Sequence, residues 1–289
     1  MIGLVGIAVV FVMVFGGFML AGGQLVVILY ALPFEMVMIG GAAVGAFLLG
    51  NDLSGVKTTL RDLGKVFRGP RWKPADYRDL LCLLFELIRI ARSNPVALEE
   101  HIETPRDSAI FARYPRILHD HESVDLICDT LRAAGMNYDD PHQVEEVLDK
   151  RVETNQHHAL HSSHALQTTA DALPALGIVA AVLGIIKTMS SIDQPPEILG
   201  KMIGSALVGT FLGVFLAYGI VGPFASRVRA VTEEDAHFHL LIREVLVANL
   251  HNHPANICIE VGRQNTPHHI RPSFTDLETA LRALRQEAA

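Results

Sequence analysis

Charge is absent from the beginning of this 289-residue chain. No Asp, Glu, Lys or Arg occurs from Met1 to Phe34; Glu35 stands alone, and the next charged residue is Asp52. A globular surface cannot be built from such a stretch, whereas about 20 apolar residues are enough to cross a bilayer. A cleaved signal peptide is a competing interpretation, but the segment lacks the basic start and the small-residue cleavage site of such peptides.

Other absences exclude further classes of protein. The net charge is -7, so nothing indicates a nucleic-acid-binding protein. The three cysteines, Cys82, Cys128 and Cys258, show no CxxC spacing and indicate reduced thiols rather than a disulfide framework. The motifs GxxxxGK[ST], HExxH and GxSxG are all missing, so no enzyme is indicated and no cofactor is expected.

Apolar stretches predict four membrane spans, at Gly3–Ala21, about Phe34–Gly50, Ala172–Ile186 and Met202–Ser226. The segment "GGQLVVILYALP" between the first two is predicted to be an external link or an interfacial piece. Lysines and arginines cluster after the second and fourth spans, which places the large middle region, the tail and both termini in the cytoplasm.

The expected fold class is therefore all-α: a polytopic membrane protein with four transmembrane helices and a helical cytoplasmic domain. The predicted domains are residues 1–51 with spans one and two, 52–171 as the cytoplasmic helical domain, 172–226 with spans three and four, and 227–289 as a cytoplasmic tail. Helical periodicity predicts the following cytoplasmic helices: Asp76–Arg92, "VALEEHIE", "HESVDLICDTLRAAG", Pro141–Thr168, "EDAHFHLLIREVLVANL" and Ser273–Arg285. A loop rich in Pro, Asn and His is predicted before the last of them.

Small residues recur at helical spacing in the last two spans. Ser205, Gly209 and Gly213 share one face of span four, and Ala180 and Gly184 share one face of span three. Small side chains at this spacing allow two helices to approach closely. Packing within one subunit and packing between subunits both remain open.

The many histidines raise the question of a metal site. His157, His161 and His164 lie on one helical face, but no cysteine or carboxylate completes a compact zinc site. A solvated helix face is favoured, and the same interpretation applies to "HNHP" and "PHH" in the tail, so no metal site is predicted.

The spans also lack an ionisable side chain at mid-depth, where an ion site in lipid normally needs one. Glu35, Asp171, Lys187 and Lys201 are all predicted to lie at span ends. Thr210 is the one polar side chain well inside span four. If ions cross with the help of this chain, another chain must supply the carboxylate.

Several motifs in order resemble a known family. "DALPALGIVAAVLGII", "LVGTFLGVFLAYGIVGP", "PRDSAIFARYPRIL" and "IEVGR" with "RPSF" resemble the flagellar motor stator proteins of the MotA/TolQ/ExbB family, over nearly the whole chain. The resemblance implies a multi-pass protein of the bacterial inner membrane, in contact with membrane lipids. It also implies a homo-pentamer around a pair of peptidoglycan-anchored MotB-type subunits that carry the proton-accepting aspartate. Ion flow would then drive the flagellar rotor.

The resemblance also implies residue roles. Pro174 and Pro223 match the family prolines that matter for coupling. Arg92 and Glu99 match the charges that face the rotor switch protein FliG, although a one-residue difference in spacing leaves Arg89 open as the arginine. Pro174 either frees a backbone carbonyl and forms a hinge beside the ion path, or opens a helix near the cytoplasmic interface.

The identity of the ion is predicted from span three. Sodium-driven relatives carry a threonine where this sequence has Ala180-Ala181, and an alanine methyl cannot coordinate a cation. Thr210 remains as one hydroxyl. We therefore expect proton coupling, with Ala181 as the discriminating position and Thr210 and Pro223 lining the same path.

Two alternatives differ from a flagellar stator. One is a TolQ/ExbB-type energiser, which has three spans rather than four. The other is a non-motor scaffold or a transporter, which would be expected to show its own midplane binding groups or repeated broken helices.

Overall fold

A computed structural model describes residues 2–136 and 140–287. These residues form helices and connecting turns, with no strand among them, so the all-α prediction is confirmed. The chain forms two compact units. The membrane unit contains the described residues up to Gly69 together with Ala159–Thr232, and the polar unit contains Pro70–His158 together with the described residues from Glu233 onward.

Four helices of the described chain are long and apolar enough to cross a membrane, as predicted. They are membrane helix 1 (Gly3–Leu20), membrane helix 2 (Leu25–Gly50), membrane helix 3 (Pro141–Met189) and membrane helix 4 (Pro196–Leu250). Helices 1, 2 and 4 each contain one π-helical segment, at Val12–Gly16, Met36–Gly40 and Ala217–Val221 respectively.

The start of membrane helix 2 corrects the sequence analysis. Most of the predicted external link is helical, and the true connection is short, with Gly22 at φ 84° forming its turn. Glu35 is therefore inside the helix, roughly 15 Å from its first residue, and not at a span end as predicted. The charge at Glu35 was a misleading boundary, because the apolar run continues on both sides of it and Pro33 is accommodated within the helix.

Membrane helix 3 begins as a polar helix and continues without interruption into its apolar half, as predicted. Pro174 lies inside this helix of 49 residues. The alternative in which Pro174 opens a helix is therefore wrong. Membrane helix 4 likewise continues beyond its apolar part to Leu250, as the predicted extension required.

Membrane helix 4 is the common contact of the membrane unit. Phe11 and Phe15 of helix 1 meet Phe215 with ring centroids 5.2 and 5.4 Å apart. A buried cluster joins helices 2, 3 and 4 through the following residues: Ile39, Ala43, Leu173, Ala180, Leu212 and Ala217. Two shorter helices, Leu53–Asp62 and Lys65–Arg68, complete the unit, and buried Asp62 accepts a hydrogen bond from Ser162 at 2.9 Å.

The polar unit is built around the helix Pro74–Ser93, whose leucines are fully buried. Shorter helices surround it: Pro95–Glu103, Ala109–Ala112, Pro115–Leu118, His121–Gly135, Ala255–Asn265 and Phe274–Glu287. Trp72 stacks on Phe238 with centroids 3.8 Å apart, which closes one side of the core. The predicted helices are present, and Ser273 accepts from the backbone N–H of Asp276 at the start of the last one.

The helix Ala255–Asn265 is a correction, because the predicted loop did not include it. Its buried stripe is short and contains Cys258, Ile259 and Gly262. The backbone at Gly262 lies so close to Val245 and Leu81 that a Cβ there would be 2.3 Å from a Val245 methyl and 2.8 Å from a Leu81 methyl. A glycine and a cysteine give little hydrophobic periodicity, so the pattern did not reveal the helix.

Candidate functional site

Membrane helices 3 and 4 touch through their backbones. A Cβ placed on Gly213 would lie 2.7 Å from the carbonyl oxygen of Leu173 and 2.8 Å from the Cα of Gly177. A Cβ on Gly184 would lie 2.7 Å from the Cβ of Ala206. Such distances are possible only with glycine at these positions, so this contact depends on them.

The small residues that the sequence analysis named can now be compared with these contacts. Gly184, Gly209 and Gly213 all lie at contacts within this one chain. Ser205 is half-buried, and its neighbour Ala206 is the residue that meets Gly184. Gly177 was missed, although it lies seven residues before Gly184, about two helical turns, and so shares a face with it.

Glu35 of membrane helix 2 is placed against this contact. The side chain is 4% exposed, and its Oε2 lies 2.7 Å from where a Cβ on Gly209 would be. The Cβ of Ala180 lies 3.3 Å from the same point. Helices 2, 3 and 4 therefore meet at a carboxyl group for which only a glycine leaves room.

No hydrogen-bond donor to Glu35 Oε2 is found among the described residues. Glu35 is also the only charged side chain that the described part of any membrane helix buries. A buried polar atom without a partner is costly in an apolar medium, and acidic groups kept at such places usually serve a function. The sequence signal was available, because this is the single charged residue before Asp52.

The residues expected to distinguish proton from sodium adjoin this meeting point along the chain. Ala181 is 7% exposed and directly follows Ala180. Thr210 is half-buried and directly follows Gly209. Pro174 is half-buried and has no N–H, so the carbonyl of Ala170 lacks the donor that a regular helix would supply.

The two prolines occupy different levels of the membrane unit. Gly213 lies beside Leu173, directly before Pro174. Pro223 is ten residues after Gly213 along helix 4, about 15 Å from it, and its side chain is exposed. The nearby Ala225 belongs to the same buried cluster as Leu166 of helix 3, which agrees with this offset. Pro174 and Pro223 therefore do not face each other.

The predicted histidine face is exposed at all three positions, His157, His161 and His164. Within the membrane unit, His161 and His164 line a cavity of about 250 Å³ together with Phe47 and Asn51 of helix 2 and its following turn.

The predicted rotor-binding charges lie in the polar unit. Glu99 is exposed and has no ion pair within the described ranges. Arg92 is also exposed, but its guanidinium donates to Asn249 Oδ1 at 2.9 Å and to the carbonyl of His253. Arg92 therefore holds a turn of its own unit, whereas half-buried Arg89 has no such described contact.

A charged cluster at Asp120 stabilises the polar unit. Burial alone would raise the pKa of Asp120, but the His239 imidazole 3.5 Å away, hydrogen bonds from Ser123 and the charge of Arg71, 2.5 Å away, outweigh burial and hold this pKa well below its usual range. Arg71 also lies 4.6 Å above the Trp72 ring. The carboxylate thus joins three separate parts of the unit.

Two family models match the chain. The Motility protein A N-terminal model matches residues 4–95, and the MotA/TolQ/ExbB proton channel family model matches residues 123–238. Motility protein A of Escherichia coli (strain K12) is 40% identical over 283 residues, which cover 98% of this chain and 95% of that protein. The chain belongs to the motility protein A family.

Other similar proteins agree with the assignment of this chain to the motility protein A family. Chemotaxis protein LafT of Vibrio parahaemolyticus is 36% identical over 94% of this chain and 95% of that protein. The structure resembles MotAB of C. jejuni, with a TM-score of 0.72, 18% identity and coverage of 94% and 98% of the two chains. It also resembles the flagellar MotAB stator complex from Bacillus subtilis, with a TM-score of 0.66, 22% identity and coverage of 96% and 98%. At these identities the solved structures show a shared fold.

Membership confirms the recognition made from sequence and the multi-pass membrane location. The motility protein A family is part of a proton channel family, and stator proton-channel function follows for this member. The N-terminal match covers membrane helices 1 and 2, which a three-span TolQ/ExbB-type energiser would not share in full. That alternative and the non-motor scaffold are not favoured.

Proposed function

We propose that this motility protein A family member conducts protons only in complex with a MotB-type partner, and that five copies surround two copies of that partner. The observation that carries the proposal is the apolar character of the membrane unit. Its membrane helices bury one charged side chain in their described part, Glu35, which cannot by itself form a continuous line of proton carriers across ~30 Å. The aspartate of the partner would supply the missing group.

Glu35 is proposed to take part in the proton path beside the partner. Its carboxyl has a buried oxygen without a described donor, so a water molecule or a group of the partner can occupy that place. Gly209 keeps the space open, and Ala180 and Ala181 make the wall apolar on the side of helix 3. An apolar wall suits a proton, which needs one acceptor and a chain of waters, better than sodium, which needs several oxygen ligands.

We therefore propose that the transported ion is the proton. Ala181 is proposed as the position that discriminates against sodium, and Thr210 is proposed to lie beside the path. The test is swimming speed with sodium varied at fixed pH, followed by addition of a protonophore. We expect speed to be independent of sodium and to fall to zero with the protonophore. Speed that follows sodium and survives the protonophore would contradict proton coupling.

Partner dependence has a direct test in liposomes. The purified chain alone is expected to give no pH-driven proton flux, and the complex with the MotB-type partner is expected to give flux. In that complex, Glu35→Gln should reduce flux while preserving complex formation, because an amide keeps the shape but cannot exchange a proton at neutral pH.

The matched control is Glu197→Gln, which changes an exposed carboxyl in the first turn of membrane helix 4 and should leave flux nearly unchanged. Flux from the chain alone would refute partner dependence. Equal flux from Glu35→Gln and Glu197→Gln would remove Glu35 from the path and leave partner dependence intact.

A ring of copies is supported by the outer surface of membrane helix 1. None of its 18 residues is buried within the chain, and Val5, Val12 and Met13 are all more than 60% exposed. Lipids or neighbouring copies must cover these side chains. Native mass spectrometry of the purified complex is expected to show five copies of this chain for two of the partner; a different ratio would contradict the ring of five.

Contact with the rotor is assigned to exposed Glu99 and to Arg92, with Arg89 as the alternative arginine, and the rotor partner is the switch protein FliG. This assignment, the cytoplasmic location of both termini and the inner membrane as the site of assembly rest on the resemblance and on the basic residues that follow the second and fourth spans. The coupling role of Pro174 and Pro223 has the same basis.

A further inference from the structure

Two histidines and a glutamate converge in the polar unit, and none of them is a residue of the proposed ion path. His142 and Glu145 are three residues apart in the first turns of the helix that begins at Pro141, so they share one helical face. His251 directly follows Leu250, where the other long helix ends. The segment "HNHP" that contains His251 was interpreted from sequence as solvated surface, so the structure reveals a contact that the pattern did not.

Both imidazoles face the same carboxylate oxygen. Glu145 Oε2 lies 3.1 Å from His251 Nε2 and 3.6 Å from His142 Nδ1. All three ligand atoms lie within 4.8 Å of one another, and the two imidazole rings are 5.2 Å apart. An ion pair with the Glu145 carboxylate needs only one imidazole. A simple ion pair therefore does not explain the second imidazole at the same oxygen.

These distances match a tetrahedral metal centre. With metal–ligand bonds of ~2.0–2.1 Å, neighbouring ligand atoms of a tetrahedron lie about 3.3–3.4 Å apart. The two distances from Glu145 Oε2 fall on either side of that value. The His142 side chain is 78% exposed, so its ring can rotate to close the remaining edge, and the fourth position is open to water.

The other oxygen of Glu145 is already engaged, which orients the carboxylate. Arg243 Nη2 lies 3.7 Å from Oε1. Arg243 also donates to Asp149 at 2.5 Å and to Glu244. These two further carboxylates offset the positive charge of Arg243, which would otherwise disfavour a metal cation nearby. Groups that fix a ligand in this way commonly strengthen a metal site.

Thiolates do not compete for this role. Burial raises the pKa of Cys82 and of Cys128 to about 12, and both thiols lie inside the core of the polar unit. The available donors are therefore imidazole nitrogen and carboxylate oxygen, a set that suits zinc and other borderline divalent metals.

We propose that His142, Glu145 and His251 bind one divalent transition metal ion of the zinc class, with water as the fourth ligand. The ion joins the beginning of membrane helix 3 to the end of membrane helix 4 within the polar unit. Binding only to the folded chain raises the unfolding temperature.

The test uses the tag-free full-length chain in complex with its partner, freed of metal by a chelator. Zn²⁺ is titrated at pH 7.5 against a fluorescent chelator, and the unfolding temperature is measured with and without Zn²⁺. We expect one site per copy of this chain, with binding weakened at least about tenfold in His142→Ala, His251→Ala and Glu145→Gln. The zinc-induced rise of the unfolding temperature should be lost in the same variants.

The matched control is His158→Ala, which removes an exposed histidine of the same helix and should bind Zn²⁺ like the unchanged chain. Glu145→Gln keeps the shape of the side chain, so it remains informative if a histidine variant fails to fold. Absence of a site in the unchanged chain, or equal affinity in His142→Ala/His251→Ala and His158→Ala, would overturn the proposal.

Discussion

Replacing Gly213 by alanine tests the close contact of membrane helices 3 and 4. The added Cβ would lie 2.7 Å from the Leu173 carbonyl oxygen and 2.8 Å from the Gly177 Cα, where 3.4 Å is the lower limit of ordinary contact. The shortfall is about 0.7 Å, and both opposing atoms belong to the backbone, which cannot rotate away. The helices must separate by a comparable amount.

The magnitude follows from two opposing terms. Overpacking costs ~1–3 kcal/mol, and the change from glycine to alanine regains up to about 1 kcal/mol of helix propensity. With the full regain of propensity the net loss is up to about 2 kcal/mol, which lowers the unfolding temperature by up to several degrees in a protein of this size. Separation would also move Ala180 of helix 3 away from Gly209, where the Glu35 carboxyl lies, so motility should fall more than stability does.

Gly204→Ala provides the matched control in the same helix, because a Cβ there would lie 3.7 Å from a Val27 methyl, an ordinary contact. Unfolding temperature in detergent and swimming speed are measured for both variants. Gly213→Ala should lose several degrees, and Gly204→Ala should lose none. Equal unfolding temperatures for the two variants would show that the helices are not packed as closely as these distances require.

Three further predictions concern the polar unit. Because the pKa of Asp120 is lowered in the folded chain, its carboxylate stabilises the fold above the ordinary aspartate pKa of about 4 and loses that effect as pH falls through the lowered value; Asp120→Asn should flatten the fall in unfolding temperature between pH 5 and 2, and an unchanged slope would contradict this. Glu99→Lys should reduce swimming without changing the unfolding temperature, since the side chain is exposed and has no described ion pair. Arg92→Glu should reduce swimming and also lower stability by about 1–2 kcal/mol, because its hydrogen bonds to Asn249 and His253 are lost; a swimming defect with no loss of stability would show that those bonds contribute nothing.

The sequence predicted the helices of this protein well, because uncharged runs and helical periodicity are local signals. It also placed Gly209 and Gly213 on one face of a helix. The position of Glu35 could not be predicted in the same way. A charge normally marks the end of a span, and only the space above Gly209, contributed by a helix about 170 residues later, lets this carboxyl be buried.

The cluster of His142, Glu145 and His251 escaped for a related reason. His251 is separated from His142 and Glu145 by more than 100 residues, and each of the two segments alone resembles an ordinary polar surface. Arg92 shows the converse limit. Its side chain is exposed, but its hydrogen bonds to the turn after Leu250 depend on packing that no local pattern reveals.

The π-helical segment Ala217–Val221 sets the rotational register of membrane helix 4. Gly213 and Ala225 both face helix 3, yet they are twelve residues apart, which would put them about 120° apart around a regular α-helix. The segment absorbs one extra residue, as the bond from the Gly222 N–H to the Ala217 carbonyl shows, and the offset falls to about 20°. Loss of a single residue there would convert the segment to regular α-helix and leave everything after it, Pro223 included, facing as before, so related sequences that differ by one residue at this point would still present the same faces from there to Leu250.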